Sequence, residues 1–236
     1  MPDLILSASS ISTYLQCHYR YLLSNVYRLG SGQSIAAALG TAVHAAVESY
    51  WKGVPTRPQA VLERVLTAEL AKVPVLDEDP AAVLVDGHRM LNTYIREVVP
   101  TFTPTLVEKT FVITVDDVTV SGTIDAADED VHDTKTVAMI SKFDPLNHTL
   151  QVSLYGLGYQ VLTGEKPKRL LLDVLPRGGR VSYRQYEVQP EVGELLDVLG
   201  VVRDGIGKED YEPTGATAGV CIWCPYKLQC RYAKTD

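Results

Sequence analysis

The chain has 236 residues, a formal net charge of −7, 46% hydrophobic residues and 22% charged residues. This composition excludes an intrinsically disordered chain, and no apolar run approaches the about 20 residues that cross a bilayer. The first residues lack the basic segment and the long apolar stretch of a secretory signal. We therefore expect a soluble, cytoplasmic protein of one domain with an elaboration, or at most two domains, since a domain usually has about 100–200 residues.

The first hundred residues are predicted to be mainly helical. Several serines in the stretch 7–12 are typical helix N-caps, and apolar residues then recur at helical spacing as far as Leu23. Further helices are predicted over residues 35–52, 58–72 and 80–98.

The pattern changes to strands after residue 100. Residues 105–115 and 118–127 alternate and are rich in β-branched side chains, so with Asp116-Asp117 between them they predict a hairpin. A short third strand is predicted over residues 131–136. The remaining predicted elements are a helix over 147–163, strands over 170–175 and 181–188 on either side of a turn at 176–179, and a helix over 190–204. This order predicts an α/β domain with a helical region before the sheet.

The four cysteines are Cys17, Cys221, Cys224 and Cys230. They are too few for a disulfide scaffold in a chain of this length. A Cys-x₂-Cys pair on a tight loop can bring two thiolates to one metal, Cys230 is near enough to be a third ligand, and Cys17 completes the set if the chain ends meet. Four thiolates suit zinc or an iron–sulfur cluster. The alternative is a set of buried cysteines without a ligand.

Two acidic residues lie on neighbouring predicted strands, Asp125 in Gly122-Thr123-Ile124-Asp125 and Asp133 in Asp133-Thr134-Lys135. Because strand side chains alternate, Asp133 and Lys135 face the same side of the sheet. Two adjacent carboxylates repel each other unless a cation lies between them, and Mg²⁺ or Mn²⁺ suits oxygen ligands. A lysine beside such a site can orient a water or stabilise charge on a phosphate. The alternative is a hairpin with solvated acids and a surface ion pair.

Two further pairs of residues are each four positions apart, so each pair shares one face of a helix. His44 and Glu48 lie among alanines and valines, where the histidine is either a packed core residue or a metal ligand. Gln151 and Tyr155 follow the lysine strand and would by themselves be an ordinary amphipathic face. Glu108, on the first hairpin strand, either lines the same site or is solvated.

Together these motifs resemble the PD-(D/E)xK nuclease superfamily, and within it the RecB-like branch that carries an iron–sulfur cluster. That branch includes the CRISPR-associated exonucleases of the fourth Cas family, their phage relatives and the AddB nuclease domain. The resemblance extends from Ser9 to Cys230. The matching motifs are Gly40-x₃-His44-x₃-Glu48, Gly122-x₂-Asp125, Asp133-Thr134-Lys135, Gln151-x₃-Tyr155, and Cys17 with Cys221, Cys224 and Cys230.

This resemblance implies a fold and a domain organisation. The fold would be α/β, with the central mixed sheet of the restriction-endonuclease-like fold, an N-terminal helical region and a C-terminal iron–sulfur segment. Residues 1–236 would form a single nuclease domain. Its parts would be a mainly helical region over 1–100, a catalytic α/β core over 101–205, and an iron–sulfur tail over 206–236 that closes on Cys17.

The resemblance also implies a metal-dependent DNA nuclease, and specifically an exonuclease acting on single-stranded ends. The implied ligands of Mg²⁺ or Mn²⁺ are His44, Asp125, Asp133 and the backbone carbonyl of Thr134. Lys135 would activate the attacking water together with the two aspartates, and Gln151 and Tyr155 would bind the DNA backbone or orient Lys135. The implied ligands of a structural 4Fe–4S cluster are Cys17, Cys221, Cys224 and Cys230.

Biological partners follow from the resemblance less directly. DNA recombination and repair, phage DNA metabolism and CRISPR adaptation all fit, with a helicase, a recombinase or a CRISPR adaptation protein as partner and with oligomers allowed. One alternative is a catalytically inert iron–sulfur subunit that binds DNA ends. Another is a zinc-ribbon protein with an unrelated sheet.

The acidic net charge is unevenly distributed along the chain. Residues 108–133 hold eight acidic residues against one lysine, which accounts for the whole net charge of −7. Residues 165–186 hold six basic residues against two acidic ones. Such runs are usually solvated surface, but here they are candidate phosphate contacts, so the net acidity does not exclude DNA. The candidate DNA contacts are Lys166, Lys168, Arg169, Arg177, Arg180 and Arg184.

Overall fold

The computed structural model of the chain describes residues 4–214, 218–222 and 224–234. The α-helices in these residues are α1 (Ala8–Gln16), α2 (His18–Tyr21), α3 (Ile35–Trp51), α4 (Pro58–Leu70), α5 (Pro80–Glu97), α6 (Thr149–Thr163), α7 (Val192–Gly207) and α8 (Ala218–Cys221). The strands are β1 (Ile5–Ser7), β2 (Leu106–Val115), β3 (Val118–Ala127), β4 (Val131–Met139), β5 (Leu170–Gly178) and β6 (Arg184–Val188). Among the helices described, none is long and apolar enough to cross a membrane.

The chain divides into two compact units. The first unit draws its described residues from Met1–Gly32, Val112–Gly122 and Glu191–Asp236, and the second comprises Gln33–Phe111 and Thr123–Pro190. Strands β2 and β3 pair with each other and contribute residues to both units. The predicted division into parts at residues 100 and 205 remains a prediction.

Strand β4 is the central strand of the second unit. It runs antiparallel to β3, with Ala126 opposite His132, and parallel to β5 along its whole length. Strand β6 then pairs antiparallel with β5. Because parallel neighbours need a crossover connection, the segment from β4 to β5 includes helix α6. This arrangement confirms the predicted α/β class with a mixed sheet.

Helices α3, α4 and α5 pack around a core that is rich in small residues. Ala38, Ala42 and Ala46 on α3 are fully buried, and short side chains at these positions allow neighbouring helices to approach closely. Leu62 and Leu91 fill the same core. The packing holds α3 in a fixed orientation, so the residues on its remaining face are positioned precisely enough to form a site.

The first unit is organised around α1. Strand β1 pairs parallel with the first half of β3, and Ser7 then caps α1 through a reciprocal pair of hydrogen bonds with Ser10. The buried Tyr14 donates a hydrogen bond to the carbonyl of Asp210 at 2.9 Å. At Gly205 on α7, a Cβ atom would lie 2.1 Å from the Tyr14 hydroxyl, so only glycine allows this approach.

Three local predictions are wrong. The single helix predicted to reach Leu23 is interrupted at Cys17, whose backbone is extended (φ −168°, ψ 116°). The three-residue strand β1 is absent from the prediction, because so short a strand has little sequence signal of its own. The turn predicted at 176–179 is wrong, since β5 continues to Gly178. Pro176 is tolerated in β5 because it lies beyond Val174, the last β5 residue that β6 pairs with.

Candidate functional site

The two strand motifs meet at one position of the second unit's sheet. Asp133 and Lys135 lie on the same face of β4, and the Lys135 Nζ is 2.8 Å from the Asp133 Oδ2. The backbone N–H of Thr134 donates a hydrogen bond to the Asp125 Oδ2 at 2.9 Å. The structure therefore brings Asp125, Asp133 and Lys135 together, as the alternation of strand side chains predicts.

Two other elements of the same unit add ligand atoms beside Asp125. The His44 Nδ1, on α3, lies 3.4 Å from the Asp125 Oδ2. One ligand atom each from His44, Glu108 and Asp125 fall within 4.8 Å of one another. Glu108 adopts φ +46°, a conformation that is uncommon for a residue other than glycine and that occurs preferentially at functional sites. The structure thus places Glu108, which the sequence left open, inside the site.

The electrostatics of this cluster favour a bound cation. Burial, and then the charge of Asp133, raise the pKa of Asp125 to about 8. Burial, and then the charges of Asp125 and Glu48, raise the pKa of Glu108 to about 7. Burial lowers the pKa of His44, which keeps the imidazole neutral and able to bind a metal.

The fit of a divalent cation to these residues can be judged from Asp133. Its Oδ2 is buried and, among the described residues, accepts no hydrogen bond of good geometry, although Lys135 lies nearby. A buried carboxylate oxygen is usually fully hydrogen-bonded. An unsatisfied oxygen beside two carboxyls of raised pKa and a neutral imidazole fits a hard divalent cation with oxygen and nitrogen ligands.

Helix α6 supplies a chain of hydrogen bonds to the lysine. Lys135 donates to the Gln151 Oε1 at 2.9 Å, and the Gln151 Nε2 donates to the Tyr155 hydroxyl at 2.7 Å. Tyr155 is largely buried and packs edge-on against Phe111. Burial, with the charge of Asp133, raises the pKa of Tyr155, so its hydroxyl stays protonated. This series of hydrogen bonds restricts the position of the Lys135 ammonium.

His148 lies near these hydrogen bonds and was not singled out from the sequence. Burial and the charge of Lys135 lower the pKa of His148, whereas Asp133 and Gln151 act in the opposite direction. The signal that could have identified it is its position three residues before Gln151, at the start of the same helix.

The first unit contains a second group of predicted ligands. All four cysteines line one small cavity, which they share with Leu23 and Tyr232. Burial raises the pKa of the Cys230 thiol, and proximity to the other three cysteines raises it further. The chain ends therefore meet at Cys17 in the described part of the molecule, as the four-thiolate prediction requires.

The candidate DNA contacts differ in whether an acidic partner holds them. Lys168 pairs with Glu129, Arg169 with Asp130, and Arg177 with both Glu78 and Asp86. Arg184 lies over the ring of Tyr186 at 5.9 Å from its centroid. The contacts proposed for these residues, and for the exposed Lys166 and Arg180, remain predictions.

A family model and two solved structures match this chain. Residues 5–231 match the family model of the PD-(D/E)XK nuclease superfamily. A crystal structure described as a "putative exonuclease" from Eubacterium rectale shares the fold, with a TM-score of 0.67 and 15% identity over 98% of this chain and 90% of that chain. The crystal structure of SSO0001 also matches, with a TM-score of 0.44 and 15% identity over 85% of this chain and 86% of that chain. Among curated proteins, none matches the sequence.

Proposed function

The chain belongs to the PD-(D/E)XK nuclease superfamily, and from this premise we propose that it is a metal-dependent deoxyribonuclease that degrades DNA from single-stranded ends. The observation that carries the proposal is the convergence of Asp125, Asp133, Lys135 and His44 within one compact unit. The finer assignment, to the RecB-like branch with an iron–sulfur cluster, rests on the order of the motifs and on the cavity that the four cysteines share.

In the proposed site, His44, Asp125, Asp133 and the carbonyl of Thr134 hold Mg²⁺ or Mn²⁺, and Glu108 is placed to assist. A divalent ion bound there would lower the pKa of a coordinated water and neutralise charge on the phosphate. Asp125 and Asp133 need such a cation, because the two buried carboxyls otherwise resist ionising together.

Lys135 is proposed to hold the attacking water and to balance the negative charge that builds on the phosphate. Its ammonium is fixed between Asp133 and Gln151, at 2.8 and 2.9 Å. Gln151 is in turn fixed by Tyr155. A restrained donor loses little further freedom when the phosphate arrives, which is the physical advantage of this arrangement.

The four cysteines are proposed to bind a 4Fe–4S cluster with a structural role. The cavity that the four cysteines share supports a metal–thiolate site at these residues, and the choice of an iron–sulfur cluster rests on the resemblance. A cluster here would tie α1 to the C-terminal segment inside the first unit. Metal–thiolate binding can contribute on the order of 10 kcal/mol, comparable with the net stability of a whole domain.

The cellular context is proposed from the same resemblance. We place the protein in the cytoplasm of a bacterium, an archaeon or a phage-infected cell, in DNA recombination and repair, phage DNA metabolism or CRISPR adaptation. The sequence contains no Gly-x₄-Gly-Lys-Ser/Thr phosphate loop, so unwinding of a duplex would come from a partner such as a helicase.

The test is digestion of end-labelled single- and double-stranded DNA with Mg²⁺ or Mn²⁺, for the wild type and for Asp125→Ala. We expect metal-dependent shortening of the single strand by the wild type and none by the variant. Asp117→Ala is a matched control, since this aspartate lies in the exposed turn between β2 and β3. A wild type that binds single-stranded ends but cleaves nothing with any divalent metal would favour the inert DNA-end-binding subunit instead.

A further inference from the structure

Asp133 and Lys135 on β4 each begin a row of side chains that continues across the neighbouring strands β5 and β6. Asp133 of β4 is paired with Leu172 of β5, which is paired with Tyr186 of β6. Residues paired side by side project from the same face of a sheet, and neighbouring strands are about 4.8 Å apart. Tyr186 therefore lies on the catalytic face, with its backbone about 10 Å from that of Asp133. The adjacent row joins Lys135, Val174 and Arg184 in the same way.

A group of aromatic rings occupies the same part of the second unit. The Phe143 ring stacks on the His148 ring, with centroids 5.0 Å apart and an angle of 17° between the planes. The Phe143 ring also contacts the Tyr186 ring, with centroids 5.5 Å apart. The Arg184 guanidinium lies over Tyr186. We call Phe143, His148 and Tyr186 the aromatic platform.

The platform adjoins the catalytic groups through His148. The charges of Lys135 and Asp133 both act on the His148 imidazole, and His148 is the N-cap residue of α6, three positions before Gln151. Gln151 is also the residue that fixes Lys135. A nucleotide whose phosphate lies at the proposed metal site would thus have its neighbouring base within reach of the platform.

The platform is accessible and carries cationic side chains at its border. All three residues are only partly buried, so the platform is reachable from solvent. Lys142 and Arg184 are exposed and form no ion pair with the acidic residues in the described part of the chain. The nearest carboxylate in sequence, Asp144, instead caps its own turn by accepting a hydrogen bond from the Leu146 N–H at 3.0 Å. Aromatic rings bordered by cations that no carboxylate neutralises suit a base followed by a phosphate.

We propose that the aromatic platform stacks unpaired bases next to the scissile phosphate and thereby selects single-stranded DNA. The inference rests on the proposed nuclease function and names the residues that would set its substrate preference. A base within a duplex is already stacked and paired, so it cannot offer its faces to Phe143 or Tyr186 without unpairing. The platform binds any base, because every base has an aromatic face.

The first test uses the unaltered protein. Dissociation constants are measured by fluorescence anisotropy, without divalent metal, for labelled single-stranded oligonucleotides that carry one abasic position at successive places from the end. The platform predicts one or two adjacent positions at which loss of the base weakens binding on the order of 10-fold, as expected for a lost stacking contact. Equal affinity for every abasic oligonucleotide would overturn the platform.

The second test uses variants of the rings. Phe143→Ala and Tyr186→Ala should each weaken binding of the intact oligonucleotide by about 10-fold and remove the position-dependent effect of an abasic site. Tyr186→Phe keeps the ring and should bind like the wild type. Tyr27→Ala is the control, because this tyrosine is 60% exposed and belongs to the first unit. Melting temperatures show whether each variant is folded.

The outcomes separate this inference from the nuclease proposal. Cleavage by the wild type together with unchanged affinity of both alanine variants would overturn the platform and leave the nuclease proposal standing. A wild type that neither binds nor cleaves DNA would overturn both.

Discussion

The Lys135 ammonium lies 2.8 Å from the carboxylate of Asp133, on the same face of the same strand. The Asp133 side chain is 2% exposed and that of Lys135 is 19% exposed, so the pair is largely removed from water. Removing one partner of such a pair leaves a buried charge without compensation. The pair therefore links the proposed chemistry to the stability of the site.

Replacing the lysine tests the chemistry. We expect Lys135→Ala to lower the cleavage rate by about 10²–10³-fold, since a donor aimed at the developing charge is lost. Binding of single-stranded DNA should persist, because the other proposed DNA contacts are retained. Labelled-strand digestion and anisotropy measure the two effects separately. Lys72→Ala is the matched control, since this exposed lysine lies just after α4 and pairs with Glu69 near the end of that helix. Cleavage by Lys135→Ala at the wild-type rate would exclude the proposed role.

Metal affinity should rise with pH. The pKa of Asp125 is raised to about 8 and that of Glu108 to about 7 without a metal, so Asp125 is mostly protonated and Glu108 partly protonated at neutral pH. A cation must displace these protons, and binding therefore tightens as the pH rises from about 6 to about 9. Isothermal titration with Mn²⁺ in buffers of different ionisation enthalpy gives both the affinity and the number of protons released. Binding that is independent of pH and releases no proton would contradict this expectation.

The same shift predicts a stability effect in the metal-free protein. The raised pKa of Asp125 means that the folded protein binds this proton more tightly than the unfolded chain, whose carboxyl has a pKa of about 3.9. Stability therefore falls as the pH rises from about 4 to about 8. Asp125→Asn removes the charge and keeps an acceptor for the Thr134 N–H. At about pH 8, the free energy of unfolding of this variant should exceed that of the wild type by about 1 kcal/mol or more. The difference should vanish near pH 4, and denaturant titrations at the two pH values measure it.

The cysteine cavity gives a prediction for the first unit. Cys17→Ser should lose iron and inorganic sulfide after anaerobic purification, and with them the visible absorbance and several degrees of melting temperature, because one of four ligands is lost. Gln229→Ala is a suitable control, since Gln229 is an exposed neighbour of the cysteines. A colourless wild-type protein that contains stoichiometric zinc would show that the four cysteines bind zinc and not an iron–sulfur cluster. An unchanged melting temperature of the Cys17→Ser variant would contradict the proposed structural role of the cluster.

Packing under α6 gives a prediction that does not depend on any ligand. A Cβ atom at Gly158 would lie 2.4 Å from the Phe111 ring, so Gly158→Ala should destabilise the protein by about 1–3 kcal/mol through overpacking. Gly200→Ala is the matched control, because a Cβ at this helical glycine meets no atom within 4 Å. The control should be neutral or more stable by up to about 1 kcal/mol, given the helix propensity of alanine. Equal melting temperatures of the two variants would refute the close approach.

The local chemistry of the site was open to prediction because it depends on short-range periodicity. Alternation along β4 places Asp133 and Lys135 on one face, and helical spacing places Gln151 and Tyr155 on one face, whatever the rest of the chain does. Glu108 was less predictable. Its place in the site depends on the pairing of β2 with β3 and on a backbone conformation of positive φ, and neither is visible in the residue types around it.

The sequence by itself determined the superfamily and the order of the motifs, because these depend on residue identity and spacing. Only the tertiary structure decided which distant residues meet. The register of β4, β5 and β6 places Tyr186 in the row of Asp133, and the interruption of the helix at Cys17 lets the first cysteine line a cavity with the last three. Such contacts arise from strand pairing and packing over long sequence separations, which residue periodicity does not encode.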